Sequence, residues 1–198
     1  MANGRGSGGA GRFVLGFVLG ILLVVGCAAA YIQWGSLPVA TADKPFPFEK
    51  NIVSVPLRAR IQSQMQQPPF GVSEDVYEGG AKVYHEQCAS CHGAPGHEVG
   101  FAKHMYPEAP PLWVKHGRRG VVGVSDDEPG VTYWKVANGI RLTGMPAYNK
   151  VLSDTQLWQV TLLLKNADQQ LPDPVMHILT AQYDPQLPAP VMPIYNSH

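Results

Sequence analysis

The chain has 198 residues, with Lys+Arg and Asp+Glu at 15 each and apolar residues at 45%. That length suits one domain with appendages, the zero formal charge removes the basic footprint of a nucleic-acid binder, and three cysteines cannot build a disulfide framework. Only 15% of residues are charged, and Gly 21 with Pro 18 make roughly a fifth of the chain, so irregular structure must be extensive.

Residues 1–12 are glycine-rich and carry Arg5 and Arg12. Phe13 to Ile32 then holds no charge at all. As a helix this stretch is about 30 Å long, the thickness of a bilayer core. Tyr31 and Trp34 stand at its far end, where an interfacial aromatic belt belongs. Both arginines precede it and no Lys or Arg follows before Lys44, so the N-terminus is expected in the cytoplasm and the remainder outside. Residues 1–33 thus read as a signal-anchor transmembrane helix of the inner membrane. Two alternatives stand beside it. A cleaved signal peptide would have a shorter apolar core. A lipoprotein signal is suggested by Val24-Val25-Gly26-Cys27, with Cys27 as the lipid anchor, although the apolar run continues through Ile32.

Residues 34–72 are punctuated by Pro38, Pro45, Pro47, Pro56, Pro68 and Pro69 and read as an extended spacer. Within it one short helix is expected from Pro56 to Met65, opened by the proline, with Leu57, Ile61 and Met65 on one stripe. Residues 73–170 carry the compact domain. Ser73-Glu74-Asp75 opens a helix running to about Gln87. Residues 93–132 read mostly as loop. A second helix spans about Thr132–Asn138 and stops at Gly139, and a third begins at the capping box of Ser153 and Gln156. Residues 171–198 contain six prolines, lack periodicity and read as a tail lying along the surface or disordered.

The chemistry is concentrated in Cys88-Ala89-Ser90-Cys91-His92, a C-x-x-C-H. This is the attachment signature of c-type haem: two thiols add across two vinyl groups, and the histidine that follows is held beneath the iron. A redox C-x-x-C would need a thioredoxin-like βαβ surround, which the sequence lacks. A zinc site would need further ligands, for which only His97 and His104 lie near. One haem iron needs a sixth ligand or an open position. Met145 is the candidate, with Gly144 permitting close approach and Pro146 fixing the chain direction. Met105 is the rival, but it follows the attachment site too closely to cross easily to the opposite face. His85, His97, His104, His116, His177 and His198 read as surface or hydrogen-bonding residues.

Gly80-Ala81-Lys82-Val83-Tyr84 before the C-x-x-C-H, Trp134 through Tyr148, and the closing helix Ser153–Ala167 together resemble the class I c-type cytochromes, specifically bacterial membrane-anchored monohaem ones. The resemblance covers about residues 73–170. It implies an all-α fold around one covalent haem c and its iron, bound by Cys88, Cys91, His92 and Met145. It implies a close crossing of first and last helices, for which Gly80 and Tyr84 match on one and Trp158 and Leu162 on the other. It also implies a proline loop, Ala109-Pro110-Pro111-Leu112, whose carbonyl accepts from the axial histidine. Trp134, Arg141 and Tyr148 are expected near the haem propionates.

The expected function is one-electron transfer between membrane or periplasmic redox proteins, with no nucleic acid, no small-molecule substrate and no catalytic residue. Two other classes remain: a peroxidase or gas-binding sensor with an open sixth position, and a haem subunit of a dehydrogenase or oxidase complex.

Overall fold

The computed structural model describes residues 7–35 and 37–181. The chain divides into two compact units, residues 1–47 and 48–198.

In the first unit, α1 (Ser7–Trp34) is an unbroken helix that continues past the exposed Cys27. Its stretch Gly9–Trp34 is long and apolar enough to cross a membrane. The chain then makes a tight turn in which Asp43 Oδ2 accepts from the amides of Val39 (3.0 Å) and Ala40 (2.9 Å).

The second unit is helical. Its elements are α2 (Glu49–Gln64), α3 (Glu74–Gln87), a single turn α4 (Ala89–His92), a two-stranded antiparallel hairpin of β1 (Lys115–His116) and β2 (Val121–Val122), then α5 (Pro129–Asn138), α6 (Asp154–Lys165) and α7 (Asp173–Thr180). The expected caps form. Ser73 accepts from the Val76 amide at 3.3 Å. Ser153 and Gln156 make a full capping box, each side chain bonding the other's backbone.

The frame is α3 packed against α6, with α5 also on α6. The backbones approach because Gly80 has no side chain: a Cβ there would strike the Gln159 carbonyl oxygen and come 3.0 Å from Leu163 Cβ. The face of α6 that meets Gly80 is therefore Gln159 and Leu163, one position on from the expected Trp158 and Leu162. Trp158 instead stacks on Tyr133 of α5, with centroids 4.1 Å apart. Ala81, Tyr84, Val160 and Leu163 are fully buried along this seam.

Three segments differ from expectation. First, α2 begins at Glu49, so Pro56 lies inside it rather than at its start. An interior proline costs about 3 kcal/mol. The half of α2 after Pro56 docks on α5 through buried Ile61, and Gly130 makes room for the exiting chain, since a Cβ there would strike the Gln66 carbonyl oxygen. Second, the region read as loop contains the short hairpin and a 3₁₀ turn over Gly100–His104. Third, the start of the supposed tail is α7, packed on α3 with Val175 and Leu179 buried. Its two prolines, Pro172 and Pro174, sit at the N-cap and in the first turn, where a missing N–H does no harm. The remainder of that tail, 182–198, lies outside the described residues.

Candidate functional site

Cys88 ends α3 and opens α4. The amides of Cys91 (3.1 Å) and His92 (2.9 Å) both bond the Cys88 carbonyl, so the C-x-x-C-H is wound as one helical turn. Residues at i, i+3 and i+4 share a face of such a turn, which places both thiols and the imidazole on one side. Both thiols are free rather than disulfide-bonded. Burial, then the charge of Cys91, pushes the Cys88 thiol up to about 12.

The turn is braced from three directions. Gly93 ends it at φ 75, a left-handed conformation, and a Cβ there would lie 2.6 Å from the His97 carbonyl oxygen. The buried Tyr84 hydroxyl donates to the Gly93 carbonyl at 2.7 Å. The Tyr148 hydroxyl donates to the Gln87 carbonyl at 2.8 Å.

His92 Nδ1 stands 2.7 Å from the Pro110 carbonyl oxygen. A carbonyl only accepts, so Nδ1 carries the proton and Nε2 keeps its lone pair. Burial lowers the His92 pKa, and the bond to Pro110 opposes that shift. The imidazole is thus oriented with its proton at Nδ1 and the Nε2 lone pair open to a metal, as a metal ligand requires.

Met145 is half-buried against the core on a loop folded back over the end of α5. Thr143 organises this loop: its hydroxyl donates to the Ile140 carbonyl (2.7 Å) and accepts from the Met145 amide (3.1 Å). Gly139, at φ 66, permits the fold-back, because a Cβ there would come 2.7 to 2.8 Å from the backbone of Met145, Pro146 and Ala147. Leu142 adopts φ 62 with its side chain 81% exposed. Met105 was expected to stay on the attachment side. Instead its terminal methyl lies close to Gly144, beside Met145, so that a Cβ at Gly144 would strike it.

The remaining site residues separate. The single N–H of Trp134 donates to Gln64 Oε1 at 3.0 Å, so it is not offered to a propionate. The Tyr148 hydroxyl proton is likewise committed to Gln87. Arg141 is exposed and lines a groove with Trp134 and α2. Sequence reasoning missed Arg60, which lines this groove, and Gln64, which bonds Trp134, both on the segment expected as spacer. The Leu57–Ile61 stripe was the signal that α2 docks on something.

The donor set fits haem. Two free thiols on one turn, an imidazole with its far nitrogen held and a half-buried thioether are what a covalent, iron-bearing macrocycle takes. A zinc site of four ligands does not fit, since no group of three or more His, Cys, Asp or Glu gathers among the described residues.

A helical frame with a glycine-mediated crossing, a wound C-x-x-C-H and a histidine held by a backbone carbonyl define a class I c-type cytochrome domain. Residues 75–163 match the family described as cytochrome c oxidase, cbb3-type, subunit III. No curated protein matches the chain. The domain carries covalently bound haem c with its iron and performs haem-based electron transfer. The match leaves α1, α2 and α7 outside it.

Proposed function

We propose that the protein is a membrane-anchored one-electron carrier whose haem iron is held between His92 and Met145, and that it passes electrons between membrane or periplasmic partners of a respiratory or related chain. When bound, haem c supplies an iron that takes up and releases one electron. Cys88 and Cys91 hold the macrocycle, and His92 Nε2 presents the fifth ligand. Met145, on its Thr143-braced loop, presents the sixth and raises the reduction potential relative to a second histidine. With His92 and Met145 both bound to it, the iron would have no position left for a substrate.

The observation that carries this reading is the bond from His92 Nδ1 to the Pro110 carbonyl. It fixes the tautomer beside two free thiols wound on one turn. The uncharged helix α1, with Arg5 and Arg12 before it, supports a single-pass inner-membrane anchor and a haem domain on the far side. In this reading Cys27 is a helix residue rather than a lipid anchor.

The visible spectrum of the purified full-length protein tests the ligation. A ferric sulfur-to-iron band, a sharp low-spin reduced spectrum and no response to carbon monoxide are expected. A high-spin spectrum that shifts with carbon monoxide would replace the carrier by a gas-binding or peroxidatic protein. A second reading is favoured by the family description, which names an oxidase subunit: the chain serves as a fixed haem subunit of a larger oxidoreductase. Recovery of other chains in stoichiometric amount after mild detergent extraction would support it.

A further inference from the structure

We propose that α2 is a strap over the edge of the haem site and that its Arg60 joins Arg141 in holding the haem propionates. This rests on the haem reading above but concerns a helix outside the family match.

Four observations carry it. An open groove of about 740 Å³ is lined by Pro56, Ala59, Arg60 and Ser63 of α2 and by Trp134 and Arg141 of the haem domain. Two arginines from distant parts of the chain therefore line one groove. Neither makes an ion pair among the described residues, where the ion pairs are Lys103–Glu98 and Lys135–Asp127. Two cations lining one groove repel unless an anion lies between them. Arg60 is also aimed: its Nε donates to Gln64 Oε1 at 3.0 Å, and the same oxygen accepts from Trp134 Nε1 at 3.0 Å. Gln64 thereby clips α2 to the indole and leaves the terminal N–H groups of Arg60 free for bidentate carboxylate binding. Finally, Arg141 stands on the loop that carries Met145, so the groove adjoins the axial-ligand segment.

The ligand chemistry is a pair of carboxylates beside an apolar wall, and the haem brings two propionates on one edge. Trp134 supplies the wall rather than a hydrogen bond. Arg60 acts on the iron through the propionates and is a positioning residue. Its positive charge favours the reduced iron over the oxidised one and favours ionised over protonated propionate.

The test is the reduction potential of the full-length holoprotein as a function of pH, for the wild type, Arg60→Gln, Arg60→Lys and Arg141→Gln. Arg60→Gln is expected to lower the potential, shifting the reduction equilibrium by about threefold or more. It should also move the propionate-linked pH wave upward while leaving the low-spin spectrum unchanged. Arg60→Lys should recover most of the potential, and Arg141→Gln should act in the same direction as Arg60→Gln. Superposition of the Arg60→Gln and wild-type curves, with the spectrum intact, would overturn the proposal. So would an unchanged potential combined with weaker, salt-dependent reaction with a redox partner, because the groove would then serve carboxylates of another protein. A purified chain without covalent haem would overturn the underlying haem reading instead.

Discussion

The His92 side and the Met145 side of the site are built differently. His92 lies on a helical turn whose carbonyls and amides are paired, between two cysteines' backbone and a carbonyl 2.7 Å from its ring. Met145 lies on a loop held by the Thr143 hydroxyl, by the Ile140 amide donating to the Met145 carbonyl at 3.3 Å, and by two left-handed residues, Gly139 and Leu142. The thioether makes no directional bond of its own with the protein, so only packing against the core and loop geometry hold it. The imidazole side is therefore a fixed platform, and the thioether side is the more adjustable of the two; under the proposed His92/Met145 ligation it is the side expected to respond to conditions.

Paired substitutions break this comparison most strongly. His92→Ala should lower the yield of correctly folded holoprotein more than tenfold. Met145→Ala should leave the haem attached and the fold intact while opening the iron to carbon monoxide. Haem-stained gels and carbon monoxide difference spectra separate the two, and equal loss of holoprotein in both would dissolve the asymmetry. A smaller effect is expected where the sides are tied together. Tyr148 follows Met145 by three residues, and its hydroxyl bonds the Gln87 carbonyl just before Cys88. Tyr148→Phe leaves that carbonyl unpaired and should cost about 1–2 kcal/mol in urea unfolding.

The smallest effect is alkaline. Tyr133 of α5 donates to Asp154, and burial, that hydrogen bond and the Asp154 charge push its pKa up to about 12 from 10.0. The folded state thus favours the neutral phenol. Its contribution is complete below pH 10 and is lost as the pH rises toward 12. Because α5 supports the Met145 loop, stability measured over that range should fall in the wild type and show a shallower slope in Tyr133→Phe.

Local signals made the frame legible. Ser73, Gly139 and the Ser153–Gln156 box marked helix ends because caps are chosen by nearby backbone groups. The C-x-x-C-H disclosed its chemistry because the spacing itself is the chemistry. What was not legible depended on distant partners. Pro56 read as a helix start because an interior proline is unfavourable in isolation, yet docking of Ile61 on α5 anchors the helix that contains it. Prolines hid α7, whose apolar stripe of Val175 and Leu179 is justified by α3, nearly a hundred residues earlier. Trp134 looked like a propionate donor until Gln64, seventy residues upstream, claimed its N–H.

The packing of α3 has a consequence for biogenesis. α3 leads directly into the attachment segment, but the helices that cover it, α6 and α7, are the last described elements of the chain. A chain made from its N-terminus exposes Cys88–His92 well before those helices exist. Long-range contacts of this kind also form late in folding, because loop closure must precede them. The interval between the two events is a time window in which an assembly factor can reach both thiols on an unfinished molecule, and arrival of α6 and α7 closes it.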